Sequence, residues 1–266
     1  MLIDTHAHLA SARFDGESER IVEQAGNTGI DRILSISTDL EDAPKNIALS
    51  EKFPNVYASV GIHPTSVHEI EDPEWLSKLK AWASHPKVVA IGECGLDFFH
   101  PPRNGSSQKD WAALQERFLR PQIDLALELD LPLVVHTRSS LAETMRILCD
   151  HAPGAPLKAV LHCFVDGPEA YATVEAAGFL VSFTGVVTFP KAPDLHKTVA
   201  AVPQGSFMLE TDSPFLAPIP HRGKRCEPAF LNHTAEAVAK LRGTSLDAIA
   251  LETTRTAERF FNLPPL

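Results

Sequence analysis

Five times in this chain a short apolar run closes on a residue that binds metals or protons, and this recurrence limits the possible fold more than any other feature. Met1-Leu2-Ile3 opens into Asp4-Thr5-His6-Ala7-His8, Val88-Val89-Ala90-Ile91-Gly92 ends at Glu93, and Leu133-Val134-Val135 ends at His136. Ala159-Val160-Leu161 ends at His162, and Phe207-Met208-Leu209 runs into Glu210-Thr211-Asp212. Successive side chains of a strand point to opposite faces, so His6 and His8 share one face while Thr5 and Ala7 take the other. A His-x-His pair alone is a modest signal. Five strands ending in candidate ligands are a stronger one.

Helical patterns separate these strands. They cover residues 17–28, 39–52, 73–84, a stretch near 110–129, 140–150, 168–177, 195–202 and the region from about 228 onward, with further strands at 31–37, 56–60 and 179–183. The count is eight strand–helix pairs, which in number and length predicts a (β/α)8 barrel with an additional helix at the carboxyl end. A doubly wound open sheet is the alternative. The candidate ligands come from strands one, four, five, six and eight and all lie at carboxyl ends, where barrel active sites are built. In an open sheet, strands so widely spread could not converge on one point. Neither a G-x-G-x-x-G fingerprint nor a phosphate-cradling Walker motif is present, so no nucleotide cofactor is indicated.

With 266 residues and 44% hydrophobic content the chain can bury one large core, and residues 1–266 are read as a single domain. No apolar run reaches the length of a membrane span and no secretory leader is visible, which predicts a cytoplasmic protein with no membrane association, and no obligate protein partner is inferred. Four cysteines, Cys94, Cys149, Cys163 and Cys226, lack C-x-x-C spacing, which argues against a zinc finger and a disulfide framework. A formal charge of −10 opposes nonspecific binding to nucleic acid, so a polyanion has to be held locally.

His6, His8, Glu93, His136, His162 and Asp212 would meet at the barrel mouth. As isolated polar residues each would need its own partner in one crowded space, because unpartnered buried ionisable groups cost several kcal/mol each. Four imidazoles and two carboxylates suit zinc, manganese, nickel or magnesium, the nitrogen-rich balance leaning toward transition metals. Six ligands exceed one tetrahedral site that keeps positions open for water and substrate. Two divalent ions about 4 Å apart, bridged by a shared carboxylate, fit better. Their charge less two carboxylates and a hydroxide leaves a positive centre, suited to a phosphodiester.

The same residues carry a resemblance. Asp4-Thr5-His6-Ala7-His8-Leu9, Gly61-Ile62-His63-Pro64, Gly92-Glu93-Cys94-Gly95-Leu96-Asp97, His136-Thr137-Arg138, Leu161-His162-Cys163-Phe164, Glu210-Thr211-Asp212-Ser213-Pro214 and Pro220-His221-Arg222-Gly223-Lys224-Arg225 resemble, in order, the TatD family of metal-dependent deoxyribonucleases within the amidohydrolase superfamily. The resemblance implies that His6, His8, Glu93 and Asp212 hold one metal while Glu93, His136 and His162 hold the other. It implies, too, that Asp212 serves as ligand and base together, accepting a proton from water whose pKa a zinc-like ion lowers from 15.7 to about 7. Ser139 follows Arg138 where the family usually has an acid, and Thr256 stands where a Thr-x-Asn pattern is common.

Around this centre, His63 either binds phosphate or caps the turn before Pro64. Arg138 shares the parity of His136 and is read as a phosphate contact. Asp97 is expected to orient its loop, and Phe98 and Phe99 to pack beneath it, with stacking on bases as their other use. Arg222, Lys224 and Arg225, three positive charges within four residues, form a candidate phosphate clamp. The expectation is a hydrolase of DNA phosphodiesters, a 3′-5′ exonuclease acting on single-stranded or frayed ends, its polarity implied by the resemblance. The rival is hydrolysis of an ester, lactone or amide, including D-aminoacyl-tRNA deacylation known in relatives, since the same nucleophile attacks carbon.

Overall fold

The computed structural model describes residues 1–265 except 101, 103, 104, 152, 153 and 155. Eight parallel strands, β1 (Leu2–Ala7), β2 (Ile30–Ser35), β3 (Val56–Val60), β4 (Val88–Asp97), β5 (Leu133–Arg138), β6 (Ala159–Leu161), β7 (Leu180–Phe183) and β8 (Phe207–Leu209), lie side by side in chain order. The ring closes where Asp212 donates its N–H to His6 O at 2.8 Å and His8 donates to Ser213 O at 2.7 Å. The chain therefore forms the expected (β/α)8 barrel. Between the strands run α1 (Ser18–Asn27), α2 (Ala43–Lys52), α3 (Trp75–Ala83), α4 (Gln108–Leu129), α5 (Leu141–His151), α6 (Pro168–Ala176), α7 (Pro193–Ala201) and α8 (Leu231–Arg242), with α9 (Leu246–Phe260) as the additional helix. No helix among the described residues is long and apolar enough to cross a membrane.

Element ends differ from expectation where side chains compete for backbone groups. α2 begins at Ala43, not near 39, because the Asp42 carboxylate accepts the N–H of Thr38 at 2.9 Å and of Asp39 at 3.2 Å, holding a turn open ahead of the helix. α4 begins two residues before the expected 110 because Ser107 Oγ accepts the Asp110 N–H at 3.2 Å, an N-cap that satisfies a donor of the first turn. Residues 101, 103 and 104 of the loop expected between β4 and α4 lie outside the described residues.

Two apolar layers stabilise the barrel. The larger lies between strands and helices, around Phe14, Ile33, Leu79, Trp111, Phe183 and Phe207. The smaller gathers Ile3, Leu34, Val89, Val134, Val160 and Met208. Val134 and Val160 share parity with His136 and His162 two residues on, so this layer lies inside the barrel beneath the polar mouth. Phe260, Phe261 and Leu263 complete it, so the end of α9 stoppers the amino end of the barrel. A bond from Arg32 to Pro264 O, with Glu258 at 3.7 Å, fastens that stopper. Chemistry is left to the open carboxyl end.

Candidate metal centre

Glu93 sits at the middle of the mouth because two glycines let β4 press against β5. Gly92 and Gly95 both have φ of +140°, which side chains rarely adopt. A Cβ at Gly92 would stand 2.5 Å from Val134 O, and one at Gly95 would collide with the His136 carbonyl. On the far side, Asp4 ties β1 to the end of β8, accepting from Thr211 N at 2.9 Å and Thr211 Oγ1 at 2.6 Å. Burial pushes the Asp4 carboxyl up to about 7. The strands expected to end at His162 and Asp212 leave the regular ladder at Leu161 and Leu209, and Cys163 and Asp212 then take positive φ of 48° and 56°. These bends follow strand pairing, since His162 N–H still reaches Val135 O at 3.0 Å.

The two oxygens of Glu93 face two groups of imidazoles. Oε2 lies 3.3 Å from His6 Nε2 and 3.7 Å from His8 Nε2, with Asp212 Oδ1 3.3 Å from His8 Nε2 and 3.8 Å from His6 Nε2. Oε1 lies 2.7 Å from His162 Nε2, 2.8 Å from His136 Nδ1 and 3.4 Å from His63 Nε2. Donor atoms of His6, His8 and Glu93, of His6, His162 and Asp212, and of His63, Glu93 and His136 fall within 4.8 Å of one another in each set, close enough to hold a metal ion. The six residues singled out as ligands thus come together. His6 and His8 aim Nε2 at Nε2 across 3.2 Å, and lone pairs so directed repel unless a proton or cation lies between them. That donor set fits a divalent ion.

In three of the four rings the opposite nitrogen faces an acceptor, whereas His6 Nδ1 is buried without a hydrogen-bond partner. His8 Nδ1 faces the carbonyl of Ile36 at 3.1 Å, His136 Nε2 faces Asp97 Oδ2 at 3.1 Å, and His162 Nδ1 faces Glu210 Oε1 at 3.3 Å. An acceptor there favours a proton on that nitrogen and turns the inward one to a metal ion or, without one, to a proton shared with Glu93 or Asp212, the arrangement that orients metal-binding histidines. His63 is the reverse. Its Nδ1 accepts the Thr65 N–H at 3.1 Å, so its proton sits on Nε2, pointing into the mouth as a hydrogen-bond donor. His63 thus caps the turn before Pro64 through Nδ1 while its Nε2 faces the mouth.

Three buried carboxylates organise the rings. No local pattern in the sequence gives Glu210 a role, because its partners lie on other strands: Oε1 accepts Cys163 N–H at 2.7 Å and Oε2 accepts Ser182 Oγ–H at 2.6 Å. Asp97 does orient its loop, accepting from Phe99 N at 2.9 Å and His100 N at 2.8 Å, but it also holds His136. Burial alone would raise Glu93, yet His162, His63, His6 and the bond with His136 outweigh it and hold its carboxyl well below the usual range. Asp212 is likewise low, burial being overcome by His8, His6 and His162. Against the cost of burial, Asp212 and Glu93 lift His8 to about 9, and Glu93 and Glu210 lift His162. Burial lowers His63 below the ordinary imidazole range, in keeping with a neutral donor.

A cavity of about 1400 Å³ opens above these groups, its wall including His8, His63, Glu93, His136, Arg138, His162 and Asp212. Arg138 stands exposed at the rim with its guanidinium 4.5 Å from the centre of the Phe99 ring. Phe98 packs against the main core as expected, whereas Phe99 is 59% exposed. The expected packing fails for Phe99 because Asp97 turns the backbone outward there. Residues 220–225, the basic stretch after β8, do not line the cavity. Arg225 is held by Glu17 at 2.6 Å and Glu227 at 2.8 Å, which leaves it little charge to offer a phosphate. Arg222 lies 4.3 Å over the Phe189 ring, and Lys224 is exposed.

The profile of the family described as TatD related DNase matches residues 3–262. The chain is 35% identical over 265 residues to the uncharacterized metal-dependent hydrolase YabD of Bacillus subtilis (strain 168), covering 99% of this chain and 100% of that protein. It is 32% identical over 269 residues to the 3′-5′ ssDNA/RNA exonuclease TatD of Erwinia billingiae, covering 99% and 100%. Among solved structures, YJJV, a TatD homolog from Escherichia coli K12, superposes with a TM-score of 0.89 at 28% identity, covering 99% of this chain and 98% of that one.

Proposed function

This chain belongs to the TatD family of metal-dependent hydrolases, and from that premise we propose that it cleaves phosphodiester bonds of DNA as a 3′-5′ exonuclease on single-stranded or frayed ends, with two divalent ions. The observation that carries the reading is Glu93, which turns one oxygen to His6 and His8 and the other to His136 and His162. His6, His8, Glu93 and Asp212 would hold one ion, and Glu93, His136 and His162 the other. Bound there, such ions polarise the phosphoryl group and acidify water.

The chain's own groups do the rest. Asp212, kept ionised by its imidazole neighbours, is the acceptor for the proton of the attacking water. His63 Nε2–H is a neutral donor for a phosphoryl oxygen, and exposed Arg138 offers a fork to the next phosphate. A cavity of about 1400 Å³ exceeds the 300–1,000 Å³ typical of small-molecule sites and admits a strand end better than an intact duplex. The name of the Erwinia relative supports the polarity.

The test is release of mononucleotides from 5′-labelled single-stranded DNA by pure protein with added metal, beside a panel of esters and amides. A ladder shortening from the 3′ end, abolished by chelation and by Glu93→Gln, is expected. Turnover of the esters with DNA left intact would overturn the reading.

A further inference from the structure

Among the described residues, the exposed large hydrophobic side chains include just two aromatic rings, Phe99 and Phe215, 59% and 45% exposed. Both follow strands at the carboxyl end of the barrel, after β4 and after β8. A scattered exposed Leu or Val needs no explanation, but the two open rings of a chain converging on one mouth do.

Each ring carries a guanidinium. Arg138 Cζ lies 4.5 Å from the centre of Phe99, and Arg13 Cζ lies 5.3 Å from the centre of Phe215, both within cation–π range. Neither arginine forms an ion pair among the described residues, unlike Arg20 and Arg225, which share Glu17 and Glu227. Their charge stays free to meet a polyanion on a chain of net charge −10.

The two phenylalanines are tied to different ends of the candidate site, Phe215 through its ring and Phe99 through its backbone. Phe215 meets the ring of His8 at 6.0 Å and 73°, on the side of Glu93 Oε2. The Phe99 N–H is held by Asp97, whose other oxygen bonds His136, on the side of Glu93 Oε1. One carboxylate thus fixes both a candidate ligand and the backbone beneath a platform.

We infer that Phe99 and Phe215 are stacking platforms for the nucleobases on either side of the scissile phosphate, each braced by an arginine. The inference rests on the phosphodiesterase reading and adds to it how a strand is held whatever its sequence, since every base has a π-face.

The experiment titrates a fluorescent single-stranded phosphorothioate oligonucleotide, which resists hydrolysis, into the purified protein and its Phe99→Ala and Phe215→Ala variants, alongside an oligonucleotide of equal length made of abasic units. Each alanine is expected to weaken binding of the base-bearing strand about 5- to 150-fold and to leave the abasic strand and metal content unchanged, with Phe→Tyr restoring affinity. Unchanged affinity in both alanine variants, or equal loss on the abasic strand, overturns the platforms. Hydrolysis of the ordinary oligonucleotide is measured in parallel. Base-dependent binding without hydrolysis would sink the nuclease reading alone, while hydrolysis with insensitive binding would sink the platforms alone.

Discussion

Removing Glu210 should weaken metal binding without touching a ligand. His162 presents Nε2 to Glu93 at 2.7 Å, and its buried Nδ1 makes no hydrogen bond but has the Glu210 carboxylate 3.3 Å away, so the negative charge there favours a proton on the outer nitrogen and makes the inner one a better base. Glu210→Gln can keep the geometry, its amide oxygen accepting from Cys163 N–H and its NH2 turned to Ser182 Oγ, while deleting the charge. Loss of such an outer partner costs about 10- to 100-fold in metal affinity, and the glutamine should fall near the lower end. Glu210→Ala should reach the upper end. It also strands the buried N–H of Cys163 and hydroxyl of Ser182, each worth about 1–3 kcal/mol of stability when left without an acceptor. Competition with a chromophoric chelator reads the affinity, and urea unfolding of the metal-free protein reads the stability. Under the two-ion reading, one of the two equivalents weakens and the one nearest His6 and His8 does not. A Glu210→Ala protein that unfolds more readily yet binds both equivalents as the parent does would refute the reasoning and leave Glu210 a structural residue only.

Three further outcomes are expected. Gly95→Ala forces a side chain onto the His136 carbonyl at a φ of +140°, so overpacking and backbone strain together should cost about 2–5 kcal/mol in chemical denaturation, with activity lost. His8, lifted to about 9 by Asp212 and Glu93, is protonated in the metal-free protein, and this pairing stabilises it fully below pH 6.5 and is lost as pH rises through about 9. An incoming ion must displace that proton, so affinity should climb with pH toward 9, and calorimetry in buffers of different ionisation enthalpy should detect proton release; a pH-independent affinity contradicts the assignment of His8. Arg222→Glu should flatten the salt dependence of DNA binding by about 0.7 in logarithmic slope per lost phosphate contact, whereas Arg225→Glu should flatten it little, because Glu17 and Glu227 already occupy that guanidinium; equal effects would place both on the backbone.

What the sequence determined by itself is the part of the architecture written in local periodicity. Alternation puts His6 and His8 on one face, apolar runs mark the strands, and their endings in Glu93, His136, His162 and Asp212 make sense if all eight carboxyl ends meet, which the barrel satisfies. These signals are legible because each is carried by neighbours a few residues apart. The tertiary structure decided partnership. Whether Glu210 backs His162, whether Asp97 backs His136 across 39 positions, and whether Arg225 is free or spent on Glu17 across 208 positions depends on which strand and helix ends the closed sheet brings together. It decided, too, that Phe98 turns into the core while Phe99 stays in solvent under Arg138, a choice made by the Asp97 carboxylate turning the backbone between them. A hydrogen bond or ion pair is satisfied by any acceptor of the right geometry, so a polar residue's identity names what it can do, and closure of the barrel names the group it does it with.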